Sequence, residues 1–230
     1  MLEKKTATNA ARRPGRPRYR SGATVEDTKE RLLAAGTKLF ALNGYDAVST
    51  GDIAREAGLT QSMVHYHYSS KELIWKAVIH QIMRNRKSTF PPPAEDLAKL
   101  APVDRLKLLI QSLIRTNANN PQFVRIAVHE GTIASPRLSW LVKTYVRKGY
   151  KLFDDTIREA MEEGAIPSLP VSDMTNTITA ISLLFGLQAM VDEIYGGRLN
   201  DEASLESFSN TLLHILFKGL LGAPGHTKPE

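Results

Sequence analysis

Ser49-Thr50-Gly51-Asp52-Ile53-Ala54-Arg55-Glu56-Ala57-Gly58-Leu59-Thr60-Gln61-Ser62-Met63-Val64-His65-Tyr66-His67 decides how this 230-residue chain folds. Ser49 and Asp52 have the spacing of a capping box, in which a hydroxyl and a carboxylate satisfy backbone N–H groups left free at a helix start. Ile53, Ala54 and Ala57 give that short helix an apolar side, and Gly58 ends it. Thr60 or Gln61 opens another short helix, through Met63, Val64 and Tyr66 to His67. Two short helices around a glycine turn within about 20 residues make a helix-turn-helix. The second helix of such a pair lies in the DNA major groove with its N-terminal residues at the base edges, so it needs a compact polar first turn and an anchored far side. Leu59 and Val64 supply the anchor; Thr60, Gln61, Ser62 and Met63 supply the turn. Gln61 is the candidate base reader, because its amide can bond adenine at two edge atoms, and Met63 can touch a thymine methyl.

Upstream, Thr24 and Asp27 repeat the capping spacing. Leu32, Leu33, Gly36, Leu39 and Phe40 then recur at helical period until Asn43-Gly44, which tolerates the left-handed backbone that stops a helix. Downstream, Ser69 with Glu72 is expected to cap a fourth helix through Leu73, Ile74, Ala77, Val78 and Ile82. Phe90-Pro91-Pro92-Pro93 closes the segment, since consecutive prolines cannot continue a helix. No convincing strand alternation occurs over residues 24–90. Residues 1–22 hold almost nothing apolar and read as a disordered basic arm. Its run Arg12-Arg13-Pro14-Gly15-Arg16-Pro17-Arg18-Tyr19-Arg20 leaves two readings open. Arg13, Arg16 and Arg18 either follow a narrow minor groove or act as a general electrostatic tail.

Residues 30–75 resemble the tetracycline-repressor (TetR) family of bacterial regulators. The resemblance rests on Leu33-Ala34-Ala35, Leu39-Phe40, Asn43-Gly44-Tyr45, Ser49-Thr50, Asp52-Ile53-Ala54, Ala57-Gly58-Leu59-Thr60 and Tyr68-Ser69-Ser70-Lys71-Glu72-Leu73, all in one register over about a fifth of the chain. It implies an all-α fold, with an N-terminal three-helix DNA-binding domain and a variable C-terminal helical domain for ligand binding and dimerisation. It implies a phosphate contact from Thr50, base reading by Gln61, Ser62 and Met63, a backbone contact from His67, and a phosphate contact from Lys71. His65 stands where the family usually has tyrosine, so an imidazole replaces the phenol; with Tyr66 it completes the candidate DNA-binding set. Gly51 replaces a larger polar or basic residue, so no base contact is expected there and no relative's operator can be borrowed.

Charge agrees with this polarity. Residues 1–90 carry 16 Lys and Arg against 8 Asp and Glu, whereas residues 91–230 carry 14 against 16. A cationic first part on a near-neutral remainder suits a polyanionic partner, double-stranded DNA. The chain has no cysteine, which excludes disulfides and thiolate metal sites. It shows no signal-peptide pattern and no run of about 18 apolar residues, so a cytoplasmic protein without a membrane span is expected. His65 and His67 are two apart and would not face one another on a helix, His129-Glu130 lacks a second histidine at zinc-site spacing, and no phosphate-binding glycine loop exists. No metal, no cofactor and no enzymatic activity are expected.

The expected organisation is a basic arm at 1–22, a helix-turn-helix domain at 23–70, a helical regulatory and dimerisation domain at 71–222 and a disordered tail at 223–230. Helices are expected at 102–118, about 122–131, 137–163, about 173–195 and 201–221. The fourth of these is apolar over most of its circumference (Ile178, Ile181, Leu183, Leu184, Phe185, Leu187, Met190, Val191, Ile194), as a helix buried on two sides must be. The second side is either a partner subunit, approached closely at Gly186, or the rest of the monomer's core. Candidate ligand contacts are Arg125, His129, Trp140, Tyr145, Phe185, Gln188 and Met190, each of which is otherwise a core or surface residue. The expected function is a homodimeric repressor on a palindromic operator, released by a small-molecule effector; the alternative is a DNA-binding regulator whose C-terminal domain engages a protein.

Overall fold

The computed structural model describes residues 24–196 and 201–221. The arm at 1–22, with Arg13, Arg16 and Arg18, and the tail at 223–230 lie outside the described residues. Every regular element among the described residues is helical. Four helices form the first group: α1 (Val25–Asn43), α2 (Thr50–Glu56), α3 (Gln61–Tyr68) and α4 (Lys71–Arg86). Eight follow: α5 (Ala94–Leu97), α6 (Pro102–Asn119), α7 (Pro121–Gly131), α8 (Pro136–Leu141), α9 (Arg147–Glu162), α10 (Val171–Ser182), α11 (Gln188–Tyr195) and α12 (Glu202–Leu221).

The caps form largely as the spacing predicts. Thr24 and Asp27 make a reciprocal box on α1, and Ser49 and Asp52 make one on α2. The two hydrogen bonds at Ser49 hold the Asp52 carboxyl below its usual range. Gly44 and Gly58 take φ of +73° and +64°, the left-handed region where a side chain is penalised. The fourth cap differs from expectation. α3 runs on through Tyr68, so Ser69 (φ +7°) is used up in the turn, and Ser70 has the extended backbone a cap needs and accepts from the Leu73 N–H.

Two expected long helices are interrupted. Residues 137–163 divide into α8, a π-helical turn at Val142–Val146 and α9. Residues 171–195 divide into α10, a 3-10 turn at Leu183–Leu187 and α11. The second break has a visible cause. Gly186 presses on α7 so closely that a Cβ there would meet Val124 Cγ1 at 2.9 Å, and its carbonyl accepts from Arg125 Nε at 3.2 Å. The close approach expected at Gly186 is therefore made within the chain. Val171–Tyr195 is also long and apolar enough to cross a membrane, by length and composition only, although no continuous apolar run marks it in the sequence. Here it is broken midway and packs against α6, α7 and α9.

Two apolar clusters result. The first joins Leu32 and Phe40 of α1, Ile53 and Ala54 of α2, Val64 of α3, and Ile74, Trp75, Val78, Ile79 and Ile82 of α4, with Ile126 of α7 and Leu141 of α8. The second joins α6, α9, α10 and α12 through Leu106, Leu109, Phe153, Ile157, Ile178 and Leu212, among others. The helix-turn-helix is thus fixed by α1 and α4. Arg31 of α1 adds a hydrogen bond from Nη2 to the Ala57 carbonyl at 2.5 Å, which satisfies one of the carbonyls a helix leaves open at its end.

Candidate nucleic-acid interface and cavity

Val64 is fully buried and Leu59 partly so, while Thr60, Gln61, Ser62 and His65 are exposed and Tyr66 is 76% exposed. The first turn of α3 therefore stands in solvent above an apolar anchor. Within it, the Thr60 and Ser62 hydroxyls bond at 2.8 Å, and Gln61 Nε2 donates to Thr50 Oγ1 at 3.1 Å, bringing the α2 and α3 candidates together. Met63 is half-buried. His67 is half-buried too, and its Nε2 is enclosed without a partner among the described residues, so in this conformation that nitrogen does not face solvent.

Lys71 opens α4 from an unexpected setting. Its ammonium lies 4.1 Å from the centre of the Tyr45 ring and donates to the Asp46 carbonyl at 3.4 Å; partial burial lowers its pKa. The same ring carries the Arg137 guanidinium at 3.8 Å. Arg137 in turn pairs with the buried Glu130 carboxylate at 3.2 Å. A chain of contacts from α7 and α8 thus ends on the lysine at the start of α4. Sequence reasoning missed Tyr45, Glu130 and Arg137 because nothing in local spacing joins residues some 90 positions apart.

A cavity of about 340 Å³, partly open to solvent, lies among α4, α6, α7, α9 and α10. Its wall includes Met83, Arg86, Phe90, Leu113, Asn117, Phe123, Tyr145, Val146, Tyr150, Phe153, Asn176 and Thr179. Of the seven sequence candidates, only Tyr145 lines it. Tyr145 and Val146 reach it from the π-helical turn, an irregularity of the kind often found at functional sites. Trp140 lies instead in an aromatic group with Trp75, His80 and Tyr145, at ring separations of 5.4 to 5.9 Å. Phe185 is buried in the second cluster against Phe208. Arg125 binds the Gly186 carbonyl, His129 sits against Gly44 at the end of α1, Gln188 is half-buried and Met190 is 51% exposed. The overlooked cavity residue with a legible signal is Arg86. It continues the buried stripe Ile74, Ile79, Ile82 of α4 at helical spacing, where an apolar residue is expected.

Comparison with known proteins agrees with this geometry. The family model for bacterial regulatory proteins of the tetR family matches residues 32–78, from α1 through most of α4. The chain is 22% identical over 218 residues to the HTH-type transcriptional regulator EthR of Mycolicibacterium smegmatis, covering 94% of each. It is 20% identical over 161 residues to the probable HTH-type transcriptional regulator YttP of Bacillus subtilis, covering 70% of this chain and 78% of that one. Its fold is similar to that of AibR, solved in complex with isovaleryl coenzyme A and operator DNA, with a TM-score of 0.67 and 14% identity over 83% of this chain and 98% of AibR. The helix-turn-helix, with its polar turn in solvent, thus carries the DNA-binding domain of the tetR family of bacterial regulatory proteins, and the chain as a whole is similar to transcriptional regulators that share it.

Proposed function

We propose that this protein is a homodimeric repressor that binds a palindromic operator and releases it when a small molecule fills the cavity. One observation carries the proposal: α4 is a single unbroken helix with Lys71 at its DNA end and Met83 and Arg86 in the cavity wall. The two ends are about 22 Å apart at 1.5 Å per residue. A ligand that shifts the C-terminal half of α4 shifts Lys71 and, through the Ser69–Ser70 turn, the end of α3. Tyr145 gives a second link, since it lines the cavity and hydrogen-bonds His80 on α4.

The DNA roles follow from exposure and chemistry. Gln61 exchanges its Thr50 bond for a base edge, freeing the Thr50 hydroxyl for phosphate; Ser62, Met63 and Thr60 flank it. Lys71, His65, Tyr66 and, after reorientation, His67 contact the backbone. The dimer surface is proposed on α10–α11, where Leu183, Leu187, Met190 and Ile194 recur at spacings of four, three and four residues and are 43 to 61% exposed. Such an apolar stripe on a monomer marks an interaction site. Two-fold symmetry then presents two recognition helices to two half-sites. Similarity to AibR, solved with an acyl coenzyme A and operator DNA, supports both partners.

Selection of duplexes from a random pool, followed by sedimentation of the complex, tests the proposal. Two protomers on one duplex with inverted half-sites are expected. One protomer on an asymmetric site overturns the dimer. Failure to enrich any sequence, with binding that tracks only salt, overturns specific reading by α3.

A further inference from the structure

Arg86 is a charge placed where folding alone gives it no reason to be. It is 4% exposed, at the end of α4, where the buried stripe calls for an apolar side chain. Its guanidinium has five N–H donors to satisfy. Nη2 donates to Asn117 Oδ1 at 2.7 Å, one face lies 4.7 Å from the Phe123 ring centre, and Nη1 has no partner among the described residues. Among the described residues no carboxylate pairs with it. Asn117 and Phe123 both line the cavity, as Arg86 does, so the under-satisfied guanidinium is part of the cavity wall. Burying a charge without a counter-charge is destabilising. Burial lowers the Arg86 pKa to about 10, which still leaves the group cationic at neutral pH.

The rest of the wall defines what could complete it. Met83, Phe90, Leu113 and Phe153 are apolar, and α10 adds the polar Asn176 and Thr179. The Thr179 hydroxyl is already bonded to Tyr150 Oη at 3.1 Å. A single cation in a mostly apolar cavity balances one negative charge, and the planar fork of a guanidinium matches a carboxylate with two parallel hydrogen bonds. The volume is at the lower end of that of sites for small organic ligands.

We propose that the effector is an organic monocarboxylate with an apolar alkyl or aryl body, its carboxylate paired with Arg86 and its body held by Met83, Phe90, Leu113 and Phe153. This rests on the sensor function proposed above and names its ligand class. Arg86 is then a specificity-determining residue, kept at a cost to the empty protein.

The test is calorimetric titration of the full chain with octanoate and 3-phenylpropionate, each against its neutral amide, followed by operator binding in the presence of each. At least one acid is expected to bind tenfold or more tightly than its amide, and which acid does so separates alkyl from aryl bodies. Arg86→Met is expected to abolish that preference without lowering the melting temperature of the ligand-free protein, and Arg86→Lys to retain part of it. Equal binding of acid and amide, no binding of either acid, or an Arg86→Met protein that keeps the preference overturns the proposal. The acid-to-amide comparison on the unaltered protein decides the matter even if Arg86→Met does not fold. An amide that binds equally and still releases operator overturns the carboxylate and leaves the sensor standing. Arg86-dependent acid binding with unchanged operator affinity upholds the site and overturns the sensor.

Discussion

Lys71 and Arg86 are cations at opposite ends of α4, and the fold treats them oppositely. Lys71 is half in solvent, propped on Tyr45 beside the Asp46 carbonyl, with its charge available to an outside partner. Arg86 is enclosed, with one neutral hydrogen-bond partner and no counter-ion among the described residues. An exposed lysine costs a fold little and is free to meet a phosphate in water. A buried arginine is costly until something anionic reaches it. In the proposed reading the same helix presents a charge for a macromolecule at one end and a charge for a small molecule at the other, and its continuity would join the two events.

The strongest test of that link removes the residue that packs it. Trp75 is fully buried on α4, edge-on to Tyr45 and 5.6 Å from Trp140, whose ring in turn packs on Tyr145 of the cavity wall. Trp75→Ala should cost about 4 kcal/mol in urea unfolding, with operator and ligand binding lost together. Full retention of either one would show that the two ends do not share a core. Arg137→Ala comes next. It leaves the buried Glu130 carboxylate without its partner, at a cost of about 3 kcal/mol, and takes the guanidinium off Tyr45. Operator affinity should fall in the folded variant through a residue that touches no DNA; an unchanged operator affinity would separate Arg137 from Lys71.

Two substitutions at the DNA end sharpen the contrast between reading and holding. Gln61→Ala should lose about 1–3 kcal/mol of discrimination at one base pair per half-site. Lys71→Ala should instead weaken all sequences alike and lower the slope of log affinity against log salt by about 1 per protomer. Competition binding across single-base operator variants distinguishes the two patterns. The smallest effect is expected from Tyr145→Phe, which keeps the cavity wall and removes the hydrogen bond to His80. Ligand affinity should hardly change, while ligand-induced loss of operator affinity shrinks by about 1 kcal/mol. An equal change in both would make Tyr145 a ligand contact only.

These effects also show what the sequence could reveal. The helix-turn-helix was legible because its determinants are local. Ser49 and Asp52 cap across three residues, Gly58 turns the chain where it stands, and Val64 anchors a helix of eight residues. The exposed turn around Gln61 followed from the same short range. The cavity was not legible, because its wall is assembled from α4, α6, α7, α9 and α10. A list of aromatic and polar residues contained only Tyr145 of that wall, and the π-helical turn that brings Tyr145 there leaves no mark in the apolar period. Gly186 is a point of close approach, as a glycine in an apolar helix suggests, but the approaching surface is α7 of the same chain. Arg86 is visible in principle, as a charge continuing an apolar stripe; that no carboxylate among the described residues pairs with it is a fact of the tertiary structure.

In the proposed sensor, cavity occupancy and operator binding are two ends of one equilibrium. This coupling is tested most directly by measuring the affinity of octanoate or 3-phenylpropionate, whichever binds, for the free protein and for the protein saturated with its selected operator. By thermodynamic reciprocity the acid must weaken the operator and the operator must weaken the acid by one and the same factor. A factor of at least ten is expected, about 1.4 kcal/mol. Identical acid affinity with and without operator would contradict it.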